Sequence, residues 1–240
     1  MTIPTVVCGR GGRMANLIAD AVERAPGVRL AARHTVRPAA TGGAALVTDL
    51  ADVPGTRPVV VDFTAREATA ALLRQALTTP CPLVIGTSGL GEAEHALAAE
   101  AARGRAVVIA ANFSLALLAL ARFVRDLSEQ VGEGWDAGVV DVHFAGKRDR
   151  PSNTARFLAD QWRPGRPGRR EPDIGAFRMG DAVSEHRVLA AGTGEHVEVL
   201  HRVADRAAFL PGILRAVRFA ADAPPGVYSL EDVVCAAVPE

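Results

Sequence analysis

The feature that most limits how this chain can fold lies at its start. Ile3 to Cys8 is an apolar strand signal, a glycine cluster follows at Gly9-Arg10-Gly11-Gly12, and a helical stretch begins at Arg13 and runs to about Arg24. A strand, a glycine turn and a helix in immediate succession form the opening of a βαβ unit, which needs a parallel sheet. The same alternation continues. Val28 to Arg33, Val59 to Phe63, Leu83 to Ile85 and Ala106 to Ala110 read as strands. Helical stretches from Arg66 to Leu77 and from beyond Gly86-Thr87-Ser88-Gly89 to about Arg103 lie between them.

The pattern changes near Asn112. A long helix is expected from Leu115 to Gln130, a strand from Val139 to Phe144, and a short helix from Thr154 to Gln161. Two antiparallel strands are expected at 182–190 and 196–203, with a turn at Gly192-Thr193-Gly194 between them. A last helix spans Leu210 to Ala221, ahead of a proline break. The Pro-, Gly- and Arg-rich stretch 163–170 reads as a surface loop. The expected fold class is α/β: a Rossmann-like parallel-sheet nucleotide domain (1–112 plus 208–240) with an inserted α+β substrate and oligomerisation domain (113–207).

Composition excludes several classes. The formal net charge is zero and charged residues make up 22% of the chain, so a general nucleic-acid or membrane-surface binder is not expected. No apolar run reaches the length of a membrane span, and no signal peptide is visible, so a cytoplasmic location is expected. Cys8, Cys81 and Cys235 are widely spaced and form no CxxC pair; they read as reduced packing residues. No His/Cys/Asp/Glu grouping has metal-ligand spacing, so no metal is expected.

The glycine turn is a candidate dinucleotide site. Gly9 can take the tight turn, and Gly12 lets backbone approach a pyrophosphate. Ala15 is small enough for the close helix–strand contact that a third glycine usually provides. A glycine-rich connector without a ligand is the plainer reading of this segment alone. The second strand ends with Arg33 and His34, and Arg37 follows; no carboxylate occurs from Leu30 to Thr48. Where NAD enzymes often carry an acid at the ribose, NADP enzymes carry arginine, so NADPH is expected, with NADH possible. Solvated surface residues are the alternative.

The segment His143-Phe144-Ala-Gly-Lys147-Arg-Asp149-Arg-Pro-Ser152-Asn153-Thr154-Ala155 is a second candidate site. Ser152 is a good N-cap, helix-start amides bind carboxylates, and Lys147 adds positive charge to the same place. A small acidic substrate suits such a site. Taken alone, the segment is better explained as a plain helix cap beside a surface lysine.

Several segments taken in order resemble the dihydrodipicolinate reductase family. Gly9-x-x-Gly12-Arg13-Met14 resembles its nucleotide fingerprint, Asp62-Phe63-Thr64 its DFT motif, and Gly86-Thr87-Ser88-Gly89 its GTTG motif. Ala111-Asn112-Phe113-Ser114 resembles its ANFS motif, His143 to Ala155 its HHxxKxDxPSGTA motif, and Arg178 with Gly194 to Arg206 its later region. The resemblance covers nearly the whole chain. It implies an NAD(P)H-dependent reductase of a cyclic imine dicarboxylate (4-hydroxy-tetrahydrodipicolinate) in the lysine and diaminopimelate pathway, assembled as a homotetramer.

By the same resemblance, His143 and Lys147 carry acid and substrate-binding roles, with Lys147 taken as the acid. Phe144, Ser152, Asn153, Thr154 and Arg178 border the substrate. Gly9, Gly11, Gly12, Arg13, Met14, Arg33, Arg37, Phe63 and Thr64 hold the nucleotide. Gly86, Thr87, Gly89, Ala111, Asn112 and Phe113 approach its nicotinamide side. Asp149 is expected to order its loop, and Asp62 to tie the turn after its strand.

Three departures stand out: Phe144 replaces a second histidine, Asn153 replaces a glycine, and Ala116 replaces another glycine. They keep two other readings open. One is a paralogue that reduces a different cyclic imine or unsaturated acid; the other is a nucleotide-binding sensor or scaffold without turnover.

Overall fold

A computed structural model describes residues 2–35, 46–53, 57–162, 170–181 and 183–236. The chain divides into two compact units, Met1–Phe113 with Phe209–Glu240, and Ser114–Ala208.

The first unit is a seven-stranded sheet. Its strands are β1 (Ile3–Cys8), β2 (Val28–His34), β3 (Leu46–Val47), β4 (Val59–Asp62), β5 (Leu83–Ile85), β6 (Ala106–Ile109) and, from the chain's end, β11 (Gly226–Tyr228). The order across the sheet is β11-β6-β5-β4-β1-β2-β3, and every pairing is parallel. The central strands are apolar on both faces: Val6, Val7, Val59, Val60, Val61, Leu83, Val84 and Ile85 are all 0% exposed. Fully buried parallel strands call for such runs rather than alternation. The helices are α1 (Arg13–Arg24), α2 (Arg66–Thr78), α3 (Glu92–Ala101), α6 (Leu210–Asp222) and α7 (Leu230–Cys235). The strand order reverses between β1 and β4, and in open α/β sheets ligands bind at the carboxyl ends of the strands at such a point.

The second unit holds β7 (Asp136–His143), β8 (Asp173–Arg178), β9 (Ser184–Gly192) and β10 (Glu195–Val203), with α4 (Leu115–Gln130) and α5 (Asn153–Asp160). The sheet order is β10-β9-β7-β8; β7 and β8 run parallel and the other pairs antiparallel. Leu117, Ala121 and Val124 of α4 and Ala155 and Leu158 of α5 pack with Val139, Val188 and Ala190 of the sheet. These strands alternate, so one face is buried beneath the helices.

Four elements differ from the sequence expectation. β3 has two residues, too few to show a pattern. β8 (DIGAFR) has a glycine and an alanine where larger side chains would mark alternation. β11 and α7 follow Pro224-Pro225, where a tail was expected. The helix was marked after all: Ser229 and Asp232 form a capping box, Ser229 Oγ accepting from the Asp232 amide at 3.1 Å and the Ser229 amide donating to Asp232 Oδ2 at 2.7 Å. No described helix is long and apolar enough to cross a membrane.

Candidate active site

In the first unit, the residues expected at a nucleotide gather at the carboxyl ends of β1, β2, β4, β5 and β6. Gly9 sits just past β1 with φ of 110°, a left-handed conformation that suits glycine. Its amide donates to the His34 carbonyl at 2.8 Å, and a Cβ there would stand 3.0 Å from Ala15 Cβ. Ala15 thus supplies the close contact expected of it. Gly12 is the N-cap of α1, with no side-chain cap, and the first turn of α1 carries no acidic residue. Gly11, Gly12 and Arg13 are exposed and Met14 is half-buried.

At the end of β2, Arg33 Nη1 donates to Asn16 Oδ1 at 3.0 Å, which holds the guanidinium beside α1. His34 does not join it. That side chain is 1% exposed, with Nε2 3.0 Å from Gln75 Oε1 and Nδ1 3.7 Å from Cys8 Sγ. Strand alternation explains the difference: Arg33 and His34 point to opposite faces. Arg37 lies outside the described residues. Cys8, Gly9, His34, Thr35, Thr64, Ala68 and Leu72 line a small open pocket of about 50 Å³. Burial pushes the Cys8 thiol well up and the Cys81 thiol up to about 12, which leaves both as packing groups.

The loop after β4 is tied by Asp62. Its Oδ1 accepts from the Thr64 amide at 3.1 Å and the Thr64 hydroxyl at 2.6 Å, and its Oδ2 accepts from Thr69. The Thr69 and Thr87 hydroxyls lie 2.9 Å apart, which fixes the Gly86-Thr87 turn against the same network. Phe63 lies across Gly86, where a Cβ would meet its ring at 2.1 Å. The Phe63 and Phe113 ring centroids are 5.1 Å apart. Gly89 follows in a left-handed conformation, and Ala111, exposed, and Asn112, half-buried, follow β6.

In the second unit, His143 ends β7 and is 7% exposed. Phe144 lies past the strand, 38% exposed. The Lys147 amide donates to the Phe144 carbonyl at 3.1 Å and closes the turn, and Lys147 Nζ pairs with Asp149 Oδ1 at 2.7 Å. Burial would raise the Asp149 carboxyl, but the Lys147 ammonium and the Arg178 charge hold it below the usual range. Ser152 caps α5, its Oγ accepting from the Ala155 amide at 3.1 Å, while its own amide and hydroxyl both donate to Asp141, so its donors are spent within the protein and not on a substrate as expected. Asn153 opens the helix and is exposed; Thr154 beside it is buried.

Arg178, expected beside the substrate, is largely used by the protein. It donates to the Phe177 carbonyl at 2.7 Å, to Asp141 Oδ2 at 3.1 Å and to the Asp149 carbonyl, and its side chain is 7% exposed. It sits in register with His143 across β7 and β8 and props the 144–149 loop.

A family model described as "Dihydrodipicolinate reductase, N-terminus" matches residues 3–113, and one described as "Dihydrodipicolinate reductase, C-terminus" matches residues 116–234. The chain belongs to the dihydrodipicolinate reductase family. It is 40% identical to the 4-hydroxy-tetrahydrodipicolinate reductase of Rubrobacter xylanophilus, over 97% of this chain and 98% of that protein. It is 31% identical to the enzyme of the same name from Halorhodospira halophila, over 98% and 99% of the two chains. Among solved structures, the dipicolinate-bound dihydrodipicolinate reductase from Paenisporosarcina sp. TG-14 aligns with a TM-score of 0.75 at 17% identity, covering 95% of this chain and 98% of that one. That likeness extends the shared fold across both units. The dihydrodipicolinate reductases are oxidoreductases, and membership places this chain among enzymes.

Sequence reasoning missed two residues of the second unit, Asp141 and His186. Both are 0% exposed. With His143 they place one ligand-type atom each within 4.8 Å of one another, a grouping the sequence reading did not foresee. Arg178 already stands 3.1 Å from Asp141 and supplies the positive charge a cation would bring. The signal that could have found Asp141 is the alternation Asp141-Val142-His143, which puts both polar groups on one face of a strand. His186 is pushed down to about 4, first by burial and then by the charges of His143, His201 and Lys147, with Asp141 opposing.

Proposed function

We propose that this protein reduces a cyclic imine dicarboxylate, 4-hydroxy-tetrahydrodipicolinate, with NADPH as the preferred reductant. The observation that carries the reading is the end of β7. His143, Lys147 and the N-terminus of α5 meet there, bringing two groups able to bear a proton to a helix start that attracts carboxylates.

The nucleotide fits the first unit. The uncapped N-terminus of α1 and the sharp turn at Gly9 suit a pyrophosphate, and a small pocket opens beside them at the end of β2. Arg33, anchored by Asn16, is placed for a 2′-phosphate, and no described residue from Leu30 to Thr35 is acidic. Two proteins of similar fold, GenD2 and an engineered D-amino acid dehydrogenase, were solved with NAD and NADP+ respectively, so the fold accepts either nucleotide. Nicotinamide, when bound, supplies a hydride. The protein's residues do the rest: Phe63 and Gly86 shape the nicotinamide side, Asn153 and Thr154 at the start of α5 hold a carboxylate, Ser152 gives its amide and hydroxyl to Asp141 and so sets that turn, and His143 and Lys147 move the protons that let the 4-hydroxyl leave as water and that balance hydride addition to the conjugated imine left behind.

The test follows nicotinamide absorbance with the cyclic dicarboxylate as substrate and with either reduced nucleotide. Rapid turnover, with higher kcat/KM for NADPH, supports the reading. Tight NADPH binding without turnover removes it. Phe144 and Asn153 favour one alternative, a different cyclic imine at the same site, because both side chains are exposed where the family pattern has histidine and glycine. A panel of cyclic imines lacking one or both carboxylates separates the two.

A homo-oligomer belongs to the same proposal. Phe177 and Leu200, 47% and 44% exposed, alternate with residues that face the second unit's core, and a second copy of the chain is the occupant we expect for that face. Light scattering behind a sizing column tests it; a monomer at assay concentration counts against it.

A further inference from the structure

The proposed reduction uses His143 and Lys147, yet the group that fastens their surroundings together is Asp141. It stands two positions before His143 on β7, on the same face, with its side chain fully buried. Its Oδ1 lies 2.8 Å from His143 Nδ1 and accepts from the Ser152 hydroxyl at 3.0 Å. Its Oδ2 accepts from the Ser152 amide at 2.9 Å and from Arg178 Nη2 at 3.1 Å. Across the sheet Asp141 is in register with His186, whose Nε2 is 3.5 Å from Oδ1 and 3.4 Å from Ser152 Oγ. His186 in turn is in register with His201, whose Nε2 is 3.2 Å from the Ser114 hydroxyl at the N-cap of α4. One carboxylate therefore ties three strands and the start of α5.

We propose that Asp141 is a positioning residue for the reduction, one that fixes the His143 imidazole and the carboxylate-binding first turn of α5 with the same two oxygens. The inference rests on the functional reading above. At 2.8 Å from a carboxylate oxygen, His143 Nδ1 must carry a proton, since two lone pairs would repel. The oxygen approaches off the ring's N–H direction, so the contact is a close ion pair rather than an in-line hydrogen bond. Nε2 is thereby left for a second partner, and the adjacent negative charge favours the ring as a proton carrier.

The charge state of Asp141 supports this. Burial would raise its carboxyl, but the close contact with His143 and the hydrogen bonds from Ser152 and Arg178 outweigh that and hold it well below the usual carboxylate range. The other titratable or charged groups around His143 are Lys147 and Asp149, paired in the following loop, Arg178 opposite on β8, and His186 on β9, with His201 beyond it. His186 is shifted down to about 4 and stays neutral at ordinary pH, so it adds no charge beside the Asp141–His143 contact.

The test compares the full-length wild type with Asp141→Asn and Asp141→Glu. For Asp141→Asn we expect kcat to fall by about a hundredfold and its pH profile to change. Pyridine-2,6-dicarboxylate, titrated calorimetrically, should bind roughly tenfold more weakly. Asp141→Glu keeps the charge and should restore the wild-type pH profile, even at reduced turnover; it also serves where the Asn variant does not fold. An Asn variant with lower turnover but an unchanged pH profile overturns the proposal, as does unchanged dicarboxylate affinity. If the wild type reduces no cyclic imine, the functional reading fails and the ring ¹⁵N spectrum decides the rest. The His143 Nδ1 proton should be seen in the wild type and lost or moved in Asp141→Asn; an indifferent ring signal overturns the positioning role.

Discussion

Lys147 Nζ lies 2.7 Å from Asp149 Oδ1, so an ion pair within one short loop sets where the ammonium stands. Lys147→Ala should lower kcat by about two to three orders of magnitude while leaving the NADPH dissociation constant within about twofold. Asp149→Asn should cost less, about tenfold, because the charge stays and only its placement is lost. Steady-state kinetics and nucleotide titrations check both. Comparable losses of turnover and nucleotide binding in Lys147→Ala would end its assignment to the chemistry.

Gly86 carries a different kind of constraint. A methyl group there would stand 2.1 Å from the Phe63 ring, so Gly86→Ala must push Phe63 away from its 5.1 Å packing on Phe113. We expect a stability loss of about 1–3 kcal/mol and nucleotide affinity at least about tenfold weaker. Denaturant melts and NADPH titrations measure the two effects. Wild-type affinity in this variant would show that Phe63 does not border the cofactor.

Arg33 gives the nucleotide preference its handle. With the guanidinium held 3.0 Å from Asn16, Arg33→Ala should weaken NADPH by about tenfold or more and leave NADH nearly unchanged. If the wild type binds both nucleotides equally, or the substitution weakens both alike, the 2′-phosphate assignment is withdrawn.

His186 predicts acid sensitivity. Its folded-state pKa is lowered from 6.5 to about 4, so the unfolded chain binds this proton more readily. The stability it protects is complete above about pH 6.5 and falls as pH drops toward 4, by roughly 3 kcal/mol for this group. His201 is shifted the same way by burial and adds to the slope. Urea unfolding between pH 7 and pH 4 should show the loss, and a flat stability profile over that range would contradict it.

Much of this was legible in the sequence because local signals and tertiary demands agree. The glycine turn after Cys8, the buried β-branched strand at Val59–Asp62 and the Ser152 cap each carry their own chemistry. Asp62 tying Thr64 could be anticipated because it acts within two residues of itself. His34 could not, because its partner Gln75 lies 41 residues away and only strand alternation separates it from Arg33. Asp141 escaped for a related reason. Its partners come from the same strand, from α5, from β8 and from β9, and cross-strand register is not written in any one segment.

The pairing of β11 with β6 has a consequence for how the molecule is made. The sheet that begins with residue 3 acquires its last strand only from residues 226–228, pairing Gly226 with Ala106 and Tyr228 with Val108. During synthesis the intervening unit emerges complete while that sheet edge still waits for the chain's end. Early termination therefore falls on the glycine-turn unit: a released chain that stops after residue 208 keeps every strand of the second unit but lacks α6, β11 and α7 of the first.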